Sequence, residues 1–148
     1  NNKFTILKLR SMFRNSELEG PRWSTKFDKR VTKIGSLLRI TRIDEIPQII
    51  SVISGKMSLI GPRPERPEID LMLKQKIINY DSRYFVNPGL SGWAQVNYPY
   101  ASSEEDSKNK LSFDLFYIKH CSFLLDIIIF IKTIRLVVNA KGSIPEKA

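Results

Sequence analysis

The chain has 148 residues, with 24 Lys or Arg against 15 Asp or Glu, a net charge of +9 and a pI near 9.8. That length suits one domain able to bury roughly 68–70% of its unfolded surface, and the charge favours anionic partners: phosphorylated ligands, lipid head groups or nucleic acid. Cys121 is the one cysteine and His120 the one histidine, which excludes an intrachain disulfide and a His/Cys zinc site; any bound metal would be a hard cation held by carboxylate and phosphate oxygens.

The opening Asn1-Asn2-Lys3-Phe4 shows no initiator methionine and no signal pattern, so the chain reads as part of a longer protein. Phe4–Leu9 alternates loosely and predicts a short strand. Ser16–Ser24, with Gly20-Pro21, reads as a loop. From Thr25 to Arg42 six cations face a single acid, Asp28. Val31, Ile34, Leu37 and Leu38 there have helical spacing, giving an amphipathic helix with a basic face that Gly35 weakens. A second short helix is expected near Asp44-Glu45, with Pro47 in its first turn and Gly55 as its cap. Gly61-Pro62-Arg63-Pro64 can be neither helix nor central strand and predicts a stiff extended loop. Glu68–Tyr80 reads as helix. Asn87–Gly92 is a turn cluster leading into a predicted strand at Trp93–Val96. Ala101–Asn109 is polar.

Phe113–Val138 is the most apolar stretch, yet Lys119, Asp126, Lys132 and Arg135 interrupt every candidate membrane span. Two readings remain: a pair of core helices, which the pattern favours, or an interfacial helix with its cations at head-group level. The whole predicts an α+β fold, one predominantly helical domain over residues 1–148. It would carry a small β element, built from the N-terminal strand and the Trp93 region, and amphipathic membrane-surface helices.

Chemistry concentrates between Leu37 and Glu65. Asp44 and Glu45 are adjacent, so on a helix their side chains diverge by about 100° and cannot face each other across a substrate. They suit a division of labour, one attacking or taking a proton while the other ligates a cation. The plainer alternative is an N-cap and first-turn acid complementing the helix dipole. Arg63, flanked by Pro62 and Pro64, has little backbone freedom to lose, which favours bidentate phosphate binding; otherwise it would pair locally with Glu65 or Glu68. Arg39 and Arg42 would by default be solvated, Trp93 a core aromatic, and His120 and Cys121 packed beside the apolar run. No glycine-rich loop matches a Walker or Rossmann pattern.

Read together, Lys8–Met12, Arg39–Gln48, Gly55–Glu65 and Pro88–Asn97, followed by Phe113–Ile118 and Asp126–Ile128, resemble the bacterial sugar transferase family. Its members are polyprenyl-phosphate glycosyl-1-phosphate transferases of the monotopic type, which begin polysaccharide and glycan assembly. The resemblance implies that Asp44 is a nucleophile attacking the β-phosphorus of a nucleotide diphosphate sugar, usually a UDP-sugar. A covalent aspartyl-phosphosugar would form, and polyprenyl phosphate would then take the sugar phosphate. It implies Glu45 as a catalytic residue and Mg2+ ligand, Arg63 with Pro62 and Pro64 as the phosphate-binding loop, and Arg39 as a basic residue near the site. It further implies action at the cytoplasmic face of the bacterial inner membrane, no nucleic-acid partner, and leaves a homodimer open. The family's upstream segment that re-enters the membrane is outside these residues. The alternative is a non-catalytic basic module that binds nucleic acid or anionic membrane, with little demand for Asp44 and Glu45.

Overall fold

The structure is a computed structural model that describes residues 4–17, 20, 23–25, 28–98 and 103–139. It is a predominantly helical α+β domain. The helices are α1 (Lys33–Ile40), α2 (Ile49–Ile53), α3 (Pro67–Lys76), α4 (Trp93–Asn97), α5 (Glu104–His120) and α6 (Phe123–Val138). Two 3-10 helices, Ile43–Gln48 and Tyr80–Phe85, connect them. Strands β1 (Ser58–Ile60) and β2 (Gly89–Ser91) pair in parallel, Ser58 opposite Gly89 and Ile60 opposite Ser91.

Local chemistry explains the helix starts. Thr32 caps α1 through its hydroxyl, which accepts the Gly35 N–H at 2.8 Å. Pro67 opens α3, with Glu68 and Asp70 in its first turn and Lys74 and Lys76 in its last, matching the helix dipole at both ends. Ser103 and Ser122 cap α5 and α6 by accepting the Asp106 and Leu125 N–H groups. The main core joins Leu73, Ile77, Tyr80 and Leu111, with Trp23, Ile69, Met72 and Leu115 packed around it. On the other side α6 lies against the sheet, where Thr133 Oγ1 is 2.6 Å from Ser91 Oγ.

Several sequence expectations are overturned. Phe4–Leu9 forms no strand among the described residues; the Leu9 N–H donates instead to the Asp44 carbonyl at 2.9 Å, and Met12 bridges Val31. Trp93–Asn97 is helix α4, and the strand lies earlier, at Gly89–Ser91. β-propensity at Trp93 and Val96 yields to tertiary context: the Gln95 and Asn97 amides donate to the carbonyls of Leu90 and Trp93, tying the turn into a helix. The helix expected through Tyr80 stops at Lys76, because Ile77 turns extended to enter the core.

The helix expected within Thr25–Arg42 forms only over α1; residues 26–27 lie outside the described set, as does Pro21 of the preceding loop. Its apolar stripe does not enter a core, since Ile34 is 73% exposed and Leu37 61%. The buried position is Gly35, where an added Cβ would fall 1.9 Å from the Ser11 carbonyl oxygen. What looked like a weak point in a helix is therefore a backbone docking site. The α5–α6 pair forms, but α6 buries only Ile129 fully, while Phe123, Leu124, Phe130 and Val138 are exposed. The core reading of that stretch thus fails for most of its apolar side chains. His120 and Cys121, expected to be packed, are exposed; the histidine ring lies over Phe116 at 4.4 Å. Among the described residues no helix is long and apolar enough to cross a membrane.

Candidate active site

The site begins at Arg42, whose backbone is left-handed at φ 58°. This residue turns the chain sharply from the end of α1 into the 3-10 helix and sets Asp44 and Glu45 in its first turn. Asp44 is therefore not the helix N-cap; Arg42 holds that position, without a side-chain cap bond. Asp44 is 8% exposed, and its Oδ1 has no hydrogen-bond partner among the described residues. Burial, and next to it the Glu45 charge, raises the Asp44 pKa above the usual carboxylate value, while Lys8, Arg39 and Arg42 oppose the rise.

Glu45 stands in the opposite condition. Arg63 meets both carboxylate oxygens, with Nη1 to Oε2 at 3.3 Å and Nη2 directed at Oε1. Lys8 Nζ lies 3.2 Å from Oε1 and Arg42 Nη1 3.8 Å from Oε2. Burial resists the ionisation of Glu45, but Arg63 by charge and hydrogen bonding, then Lys8 and Arg42, overcome it and hold the pKa at about 2. Two neighbouring carboxylates are thus pushed apart, one toward the neutral acid and one toward permanent charge, which separates their roles.

Removing the guanidinium should undo this. In Arg63→Ala, burial, the largest single influence on Glu45, loses its main opponent, so the pKa is expected to rise from about 2 toward the ordinary carboxylate range or beyond it. A carbon-detected NMR titration of the Glu45 carboxyl reads this directly; a titration still centred near 2 would mean that Lys8 and Arg42 suffice.

The other site residues predicted from sequence divide. Arg63 pairs with Glu45, across 18 residues of sequence. Pro62 is buried, and its carbonyl accepts the Gly89 N–H at 2.9 Å, so it anchors the loop to β2; Pro64 is half-buried. Arg39 is not a solvated face residue: its Nε donates to Ser11 Oγ at 2.9 Å and its Nη1 to Ser24 Oγ at 3.2 Å. Its charge is still felt at Asp44.

Beyond Arg63 lies a cavity of about 120 Å³, whose walls include Arg42, Arg63, Arg83, Lys110, Tyr98 and Trp23. Asp44 and Glu45 do not line it. Arg83, 6% exposed, donates from Nη2 to the Arg63 carbonyl at 2.6 Å and pairs with Asp114 on α5 at 3.1 Å. It also donates to the Tyr80 hydroxyl. Burial raises the Asp114 pKa to about 6 although Arg83 and Lys110 pull it down. Sequence reasoning missed Lys8, Arg83, Lys110 and Asp114 as site residues. One signal was readable: Asp114 is a lone carboxylate inside the apolar run Phe113–Ile118, and a buried acid there requires a cation.

The profile of the family described as "Bacterial sugar transferase" matches residues 1–140. The chain belongs to the bacterial sugar transferase family. It is also similar to part of several longer proteins. It is 44% identical over 143 residues to the UDP-N-acetylgalactosamine-undecaprenyl-phosphate N-acetylgalactosaminephosphotransferase of Aeromonas hydrophila, covering 97% of this chain and 34% of that protein. It is 38% identical to the undecaprenyl-phosphate glucose phosphotransferase of Komagataeibacter xylinus, covering 97% of this chain and 28% of that one. It is also 38% identical to the UDP-glucose:undecaprenyl-phosphate glucose-1-phosphate transferase of Xanthomonas campestris pv. campestris, at 95% and 30%. The sugar transferase chain thus spans about a third of the length of these relatives, and its Asp44–Glu45–Arg63 cluster lies within the matched region.

Proposed function

We propose that the chain is the catalytic domain of an enzyme that moves a sugar-1-phosphate from a UDP-sugar to polyprenyl phosphate through a covalent intermediate on Asp44. The observation that carries this reading is the split pair: a buried Asp44 with an unpartnered Oδ1 beside a Glu45 clamped by three cations. An Asp44 carboxylate oxygen bonds to the β-phosphorus of the donor. The bond from that phosphorus to the bridging oxygen breaks, and the nucleoside monophosphate leaves with the electron pair. A phosphate oxygen of the polyprenyl acceptor then bonds to the same phosphorus, the acyl-phosphate bond breaks, and the Asp44 carboxylate is regenerated. Arg63, Lys8 and Arg42 counter the charge that would otherwise keep two anions apart.

The donor set also fits Mg2+. Among the described residues no group of three His, Cys, Asp or Glu forms a protein-only cage, and Mg2+ is typically held by one or two carboxylates with substrate phosphates and water. The ionised Glu45, with the unpartnered Asp44 Oδ1 beside it, would hold it. Bound there, the ion would polarise the phosphoryl oxygens and neutralise their charge.

The acceptor implies a membrane surface, and the exposed Ile34, Leu37, Ile50 and Ile53, with Phe123, Leu124, Phe130 and Val138 of α6, support docking there from the cytoplasmic side. A basic module that only binds nucleic acid would leave the Asp44–Glu45 split without a purpose. The test is direct: the intact protein, incubated with Mg2+ and a UDP-sugar but no polyprenyl phosphate, is expected to gain one sugar-phosphate mass on the peptide containing Asp44. Release of UMP with no adduct on that peptide in rapid-quench mass spectrometry would rule out the covalent route.

A further inference from the structure

Two side chains belong to both halves of the site. Arg42 and Arg63 contact Glu45 on one side and line the 120 Å³ cavity on the other, a cavity that neither acid of the pair reaches. They form a cationic partition. Behind it stand Arg83 and Lys110, against Glu65 and Asp114, so the cavity walls carry more positive than negative groups among the described residues. Trp23, Tyr80 and Tyr98 supply aromatic surface in the same wall.

Phosphoryl transfer requires attacking and leaving oxygens roughly in line across phosphorus. With Asp44 attacking from one side of the partition, the departing phosphate emerges on the other. We infer that this cavity is the subsite for the nucleoside monophosphate half of the donor, with Lys110 as the cation that receives its phosphate. The inference rests on the transferase reading above.

Charge and the chemistry of the walls agree with that occupant. Cations held together in a partly buried cavity repel one another, and an anionic ligand offsets that cost. Burial, then Arg63, pushes the Lys110 ammonium toward its neutral form, against the pull of Glu65 and Asp114; a phosphate alongside it would restore the charge. Aromatic walls suit a nucleobase, which every π face can stack. A polyprenyl tail would find charged walls here, whereas apolar surface is exposed on α1 and α6.

The two half-reactions separate the subsite from the nucleophile. UMP must enter the cavity to run the first half backwards, so exchange of labelled UMP into a UDP-sugar, without polyprenyl phosphate, reports its occupancy. In the intact, reconstituted protein, Lys110→Gln is expected to raise the UMP concentration for half-maximal exchange about tenfold or more. Lys110→Arg should recover most of the exchange. An unchanged UMP requirement, or no recovery of exchange in Lys110→Arg, would overturn the assignment. Equilibrium titration of UMP into Asp44→Asn protein, with and without Lys110→Gln, gives a reading independent of chemistry. Weaker UMP binding upon loss of Lys110 supports the subsite even if Asp44 is not the nucleophile. Equal UMP binding, or a loss of undecaprenyl phosphate affinity instead, refutes the subsite and leaves the nucleophile untouched.

Discussion

Asp44→Asn is expected to lower release of nucleoside monophosphate by roughly 10³-fold to 10⁶-fold, the range seen when a covalent nucleophile is removed. The amide keeps the shape of the carboxylate and lacks the anionic oxygen that must bond to phosphorus. Folding should survive, because the contact that Asp44 makes to the N-terminal segment uses its backbone carbonyl, which accepts from Leu9. Burial already disfavours charge at this position, so the thermal midpoint of the variant should equal or exceed that of the wild type. Retention of near wild-type release in a stopped assay with Mg2+ would remove Asp44 from the mechanism.

Gly89→Ala should be strongly destabilising. An added Cβ would lie 2.1 Å from the Gly61 nitrogen and 2.5 Å from its carbonyl oxygen, and neither is a side chain that can rotate away. Gly89 opens β2 opposite Ser58 and Gly61 follows the end of β1, with the Gly61 N–H donating to the Ser91 carbonyl and the Gly89 N–H to the Pro62 carbonyl. Forcing them apart should cost about 3 kcal/mol or more, or roughly 6–12 °C in thermal midpoint for a domain of this size. Arg63 follows two residues after Gly61, so the same displacement should draw its guanidinium off Glu45 and reduce activity in whatever fraction stays folded. Gly55→Ala is the comparator: its φ of +73° is strained for alanine, but nothing lies within 4 Å of the new Cβ, and about 1–2 kcal/mol is expected. Equal losses in the two variants, read by thermal denaturation, would show that backbone collision is not what makes Gly89 necessary.

These two cases also show what the sequence could and could not convey. Asp44 and Glu45 were legible as a pair because they are neighbours, and the stiffness of Pro62-Arg63-Pro64 was legible because proline acts locally. The contact of Arg63 with Glu45, 18 residues away, was not; Glu65 and Glu68 were nearer in sequence and equally acidic. The periodicity of Glu68–Tyr80 and the apolar run Phe113–Val138 pointed to α3 and to the α5–α6 pair, but α3 ends at Lys76 and α5 begins at Glu104, in a stretch read only as polar. The sheet was misplaced because each strand has three residues and β2 is bounded by glycines, with pairing between positions 58 and 89. No local periodicity marks so short a pair, and the backbone approach that requires Gly35, Gly61 and Gly89 is a tertiary fact. The Arg83–Asp114 pair likewise joins a 3-10 helix to α5 across the core.

Arg42 has a further consequence. An L residue with a β-carbon in the left-handed region carries a conformational cost of about 1–2 kcal/mol, which glycine would avoid. Glycine there would also delete a guanidinium that faces Glu45 and the cavity together. Robustness to heat and competence toward anions therefore pull this position in opposite directions, and the chain has settled on the charge.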